Sequence, residues 1–145
     1  MQVDFYQLSR DPVENVVPTI AVRLLENGAR LLIVEGREEM RERLSTALWA
    51  AQPESFLAHG HAGGDADAAQ PILLSADCAA HNGAGNIALT DGIWRDEALG
   101  FERAFYFFNA ESIDTARASW RALKANDSVE PRFWKQEGRR WVQGP

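Results

Sequence analysis

RLLIV, residues 30–34, decides the fold class. Leu31, Leu32, Ile33 and Val34 follow one another without a polar interruption. A strand with one wet face alternates apolar and polar residues, whereas a continuous apolar run needs cover on both faces. The run therefore predicts an interior strand of a parallel sheet. Its flanks agree. Upstream, residues 13–27 place Val13, Val16, Val17, Ile20 and Leu24 on one helical face, and Asn27-Gly28 supplies a stop. Pro18 lies inside that pattern, so the helix is expected to start near it or to kink there. Downstream, REEMRERLSTALWAA at 37–51 predicts the next helix.

Working outward, residues 3–8, 71–75, 86–91 and 102–108 read as further strands, and residues 112–125 as a third helix. RFWKQ and RRWVQ flank Glu137-Gly138 and predict a C-terminal hairpin. GHAGGDADAAQ at 60–70 is expected to be a mobile loop. Strands alternating with helices imply an α/β fold. We expect one domain over residues 1–145, with three α/β/α layers, a mainly parallel twisted sheet and the hairpin at its end.

Composition narrows the function classes. The chain has 145 residues and a formal net charge of −6. No apolar run approaches the roughly 20 residues of a membrane span. The N-terminus, MQVDFYQLSRD, shows no signal-peptide pattern. Cys78 stands alone, which excludes an internal disulfide and suits a reducing, cytoplasmic setting. The charge is uneven. Residues 1–110 carry 8 Lys/Arg against 16 Asp/Glu, while residues 111–145 carry 7 against 5. A local basic zone on an acidic body suits a short anionic partner better than broad duplex binding, so little direct contact with nucleic acid is expected.

An open α/β sheet invites a nucleotide, but the chain has neither GxGxxG after its first strand nor GxxxxGK[ST]. The sheet is thus Rossmann-like without the nucleotide motif. At the second strand-to-helix turn, Glu35, Glu38 and Glu39 crowd the helix start and are read as partners of the helix dipole. A diverged small nucleotide-binding protein or enzyme remains the alternative. His59, His61, Asp65 and Asp67 read either as metal ligands or as a polar surface loop, and their spacing fits no recognised metal pattern. Cys78 has no evident basic neighbour in the sequence and reads as a half-buried structural thiol. No cofactor or metal is implied.

Helix geometry draws out two aromatic sites. At about 100° per residue, Met40, Leu44, Ala47, Leu48 and Ala51 form one stripe, and Trp49 falls opposite it. Trp49, with Phe56 shortly after, is read either as an interface anchor or as part of a local cluster. In DTARASWRALK, residues 114–124, the same spacing puts Arg117, Arg121 and Lys124 on one arc and Ala116 and Leu123 on another. Trp120 falls on the border. It can wall an apolar pocket with a cationic rim, suited to a hydrophobic residue bearing a free carboxylate, or it can be core beside a solvated basic face.

FYQL near the start, NGARLLIV, LWAAQPESFLAHG at 48–60, PILLS, FERAFYFF and RASWRALK follow in order along the chain. In this the sequence resembles the chi subunits of bacterial DNA polymerase III holoenzyme, with LW-x4-ESF-x2-H as the most specific part. The resemblance implies a single α/β domain without catalytic activity of its own. It implies two partners: the psi subunit of the clamp loader, and the acidic C-terminal tail of single-stranded-DNA-binding protein, which ends in a hydrophobic residue. It places Trp49 and Phe56 at the psi contact. It places Arg117, Trp120, Arg121 and Lys124 at the tail site, where the family commonly has tyrosine and lysine at the positions of Trp120 and Arg121.

Overall fold

A computed structural model describes residues 1–51, 57–137 and 140–144. In chain order the elements are β1 (Gln2–Gln7), α1 (Val13–Glu26), β2 (Leu31–Val34), α2 (Glu38–Ala51), β3 (His59–His61), β4 (Ile72–Ser75), β5 (Asn86–Leu89), β6 (Arg103–Phe108), α3 (Ile113–Lys124), β7 (Glu130–Glu137) and β8 (Arg140–Gln143), with short 3-10 turns at Asp67–Ala69, Asp96–Gly100 and Ala110–Ser112. One sheet of eight strands runs in the order β3-β4-β2-β5-β6-β1-β7-β8. All pairings are parallel except β7 with β8.

The RLLIV run lies where its composition requires. β2 sits between β4 and β5, with Leu31 opposite both Ile72 and Asn86. Its side chains alternate between two separate cores. Leu31 and Ile33 join α1 and α2 residues such as Val17, Ala21, Leu44 and Leu48 on one face. Leu32 and Val34 join Val3, Phe5, Tyr106 and Phe108 on the other, beneath Ala116 and Leu123 of α3. All four β2 side chains are fully buried. This is the expected α/β/α arrangement.

β1 is held centrally by a buried charge. Asp4 is fully buried on the face opposite Phe5 and accepts from Arg103 Nε at 2.8 Å, Trp134 Nε1 at 3.0 Å and Gln2 Nε2 at 3.0 Å. One carboxylate thereby ties β1 to both its neighbours, β6 and β7. Tyr6 stacks near the same spot on Phe107, ring centroids 5.1 Å apart. Burial, reinforced by Asp4, pushes its phenol up to about 12.

Two expectations need correction and one is narrowed. α1 does not start near Pro18; it runs from Val13 through Pro18 to Glu26. A buried apolar face over the sheet outweighs the one hydrogen bond a proline forfeits. The 60–70 segment is not a plain loop. His59–His61 forms the edge strand β3, parallel to β4, and Asp67 accepts from the backbone N–H of Gly63 and Gly64. Glu35 lies outside the first turn of α2. It is fully buried at the end of β2, where it accepts from the backbone N–H and guanidinium of Arg37 and from Thr90 Oγ1. Only Glu38 and Glu39 occupy the first turn of α2.

Candidate functional site

α3 begins at a built stop. β6 ends at Phe108, and Asn109 then caps the turn: its side chain accepts from Glu111 N and Ser112 N, while Ser112 Oγ accepts from Asn109 N. This reciprocal cap closes the 3-10 turn Ala110–Ser112, which leads directly into α3 at Ile113. Asp114 then occupies the first turn and Arg121 and Lys124 the last, each favourable to the helix dipole. Ala116 and Leu123 point into the sheet and are buried; Arg117, Arg121 and Lys124 are exposed.

Between α3 and the sheet lies an open cavity of about 430 Å³, lined by Phe5, Gln7, Phe108, Ile113, Ala116, Arg117, Trp120, Arg121 and Phe133. Four of these nine residues are aromatic. Trp120 meets Phe5 edge-on at 5.1 Å and Phe133 edge-on at 6.3 Å, and Phe133 lies 6.2 Å from Phe108. Arg117 and Arg121 bring charge to the lining. Among the described residues Arg117 makes a single 3.7 Å pair, with the exposed Asp114, a weak contact. Gln7, at the carboxyl end of β1, adds a neutral amide. Three of the four residues expected at the tail site therefore share one cavity. Lys124 does not line it; its ammonium lies 5.6 Å from the Trp120 ring centroid and polarises the wall from there. Trp120 belongs to both alternatives drawn from sequence, since it packs on the core residue Phe5 and also walls the cavity.

Sequence reasoning missed Phe5, Gln7, Phe108 and Phe133. Alternation puts Phe5 and Gln7 on one face of β1. That β7 would pair in parallel with β1, setting Phe133 opposite Phe5, has no local signal.

The second aromatic site is on α2. Trp49 is 45% exposed on the side away from the buried Leu44 and Leu48, as the helical spacing predicts. Its ring packs against His59, with centroids 4.2 Å apart. His59 is only 8% exposed; Nδ1 meets the Leu57 carbonyl at 2.8 Å and Nε2 meets Ser45 Oγ at 2.8 Å. Burial holds its imidazole below the ordinary range, against the Leu57 hydrogen bond, which raises it. Phe56 lies outside the described residues.

The remaining candidates resolve locally. His61 faces Glu42 at 3.6 Å, and no group of three or more His, Cys, Asp or Glu among the described residues is placed to hold a metal ion. Cys78 is half-buried; burial and then Glu97 push its thiol up, outweighing Arg95, a basic neighbour that the local sequence does not reveal. No helix among the described residues is long and apolar enough to cross a membrane.

Fold and site together define the class: an open, largely parallel α/β domain with an aromatic cavity, flanked by arginines, beneath its third helix. Within that class, the family model described as DNA polymerase III chi subunit, HolC, matches residues 1–129, and the chain belongs to that family. It is thus of the accessory-subunit type of DNA polymerase III. No curated protein matches the sequence. The matched segment stops just short of β7, so the Phe133 wall is supplied by chain beyond it.

Proposed function

We propose that this chi-family protein is a non-catalytic bridge in the replicating cell's cytoplasm. It would join the clamp loader, through psi, to the acidic C-terminal tail of single-stranded-DNA-binding protein. The observation that carries this reading is the α3 cavity. Its aromatic walls suit one hydrophobic side chain, and Arg117 and Arg121 suit the terminal carboxylate and the acidic residues before it. Burial of a ring-sized group contributes up to roughly 3 kcal/mol. With screened charge attraction added, a single short tail should bind with about micromolar affinity, or about 8 kcal/mol. Several tails on one DNA-bound oligomer would raise the effective affinity without new contacts.

The psi contact is assigned to Trp49, supported by its half-exposed ring on the outer side of α2, and to Phe56 by family resemblance. Trp49 and the α3 cavity are carried by helices on opposite faces of the sheet, since α2 packs on one core and α3 on the other. One subunit can then hold both partners at once. The test is a paired pull-down with psi and with the tail as separate baits. Trp49→Ala should lose psi, by about tenfold or more for an interface anchor, and retain the tail. Loss of both, or of neither, contradicts the assignment.

A further inference from the structure

Just past the end of β8, the chain comes down on the Phe133 ring at Gly144. Gly144 donates its backbone N–H to the Phe133 carbonyl at 2.7 Å, so the two residues are locked together through their backbones. A Cβ on Gly144 would overlap Phe133 Cδ1 and stand 3.0 Å from Cε1 and 3.5 Å from Cγ. Nothing larger than hydrogen fits there while the ring keeps its place. The same ring, on its other contacts, meets Trp120 and Phe108 and lines the α3 cavity.

We infer that Gly144 is a positioning residue for this cavity: its lack of a side chain lets the chain just past β8 back the Phe133 ring and set how far that wall stands into the pocket. The C-terminal hairpin then fixes which terminal side chain the pocket accepts, and Arg117 and Arg121 act on charge independently of it. The ligand part of this inference rests on the tail reading above; the positioning part does not. Overpacking is relieved by off-rotamer side chains or backbone shifts. Phe133 has open cavity on one side and can swing into it, while Gly144 is held by its backbone bond. A methyl group at residue 144 should therefore shrink the pocket rather than unfold the hairpin.

The experiment uses the full chain in four forms: wild type, Gly144→Ala, Phe133→Ala and the double variant. Without any ligand, the Ile113 methyl and Trp120 indole NMR signals, which report on the cavity walls, should shift in Gly144→Ala. In the Phe133→Ala background the same substitution should leave them in place, because no ring remains to be moved. Titration then uses an acidic peptide ending in phenylalanine and the same peptide ending in alanine. Gly144→Ala should weaken the first by about fivefold or more and leave the second within about twofold. In the Phe133→Ala background it should change neither. Unmoved NMR signals in Gly144→Ala, or equal shifts with and without the Phe133 ring, overturn the positioning role. Equal loss for both peptides overturns the claim that Gly144 acts on the pocket's size. Should wild type bind neither peptide while the ring-dependent NMR shift is present, the tail reading falls and the positioning of Phe133 stands.

Discussion

Trp120 stands edge-on to Phe5, with ring centroids 5.1 Å apart and planes at 83°. Phe5 is fully buried at the middle of β1, and Trp120 lines the α3 cavity. The cavity wall is thus continuous with the core. Truncation of the ring removes a packed aromatic pair as well as a binding surface.

Trp120→Ala should therefore destabilise the fold by about 2–4 kcal/mol. Trp120→Tyr, which keeps a ring against Phe5 and matches the family's common residue, should cost about 1 kcal/mol or less beyond the lost area. Urea denaturation of both variants checks this. An alanine variant as stable as wild type would mean that the ring is a surface feature only.

Asp4 is the corresponding point on the opposite face of β1. Its buried carboxylate receives Arg103, Trp134 and Gln2. Asp4→Ala would leave the indole and the partly exposed guanidinium without their shared acceptor, and should cost about 1–3 kcal/mol. Asp4→Asn keeps an acceptor but loses the charge, and should fall between wild type and alanine. Because the network joins β1 to β6 and β7, hydrogen exchange should show protection lost in β7 before β2.

How much of this was legible follows from which contacts are local. The β2 run fixed the sheet class because four adjacent apolar residues can be satisfied in few ways. α3 was legible to its face, since its core stripe and basic arc all lie within residues 113–124. Trp49 was likewise placed by helical spacing alone. The cavity itself was not. It needs β1, β6 and β7 side by side, and Phe133 reaches Phe5 only through a parallel pairing across most of the chain. β3 was hidden for a related reason: HGH has no strand composition and forms a strand only because β4 offers it an open edge. The burial of Glu35 was hidden because the Thr90 side of its pocket is distant in sequence, and Arg37 two residues on does not by itself signal a buried acid.

His59 gives a pH prediction. Burial lowers its imidazole pKa below the ordinary 6.5. Between the folded and unfolded values, the unfolded chain binds more protons, so stability rises with pH in that window. Stability contributed by the neutral ring should be intact above about pH 7, decline as pH falls through 6.5, and level off below the folded value. NMR titration should place His59 below 6.5, and His59→Gln should flatten the decline. A His59 that titrates at or above 6.5 contradicts the buried, neutral assignment.

The central claim is that one cavity reads both charge and a terminal hydrophobic residue. Isothermal titration calorimetry of the single-stranded-DNA-binding protein tail peptide, against wild type and Arg121→Ala, tests it most directly when repeated with the last residue of the peptide deleted. Wild type should bind the full tail with about micromolar affinity. Arg121→Ala should weaken it by about tenfold with no loss of thermal stability, since the charge is exposed. Deletion of the terminal residue should abolish binding even with every acid retained. Equal affinity for the full and shortened peptides would mean that the arginines attract acidic chains without the pocket, and would contradict the account.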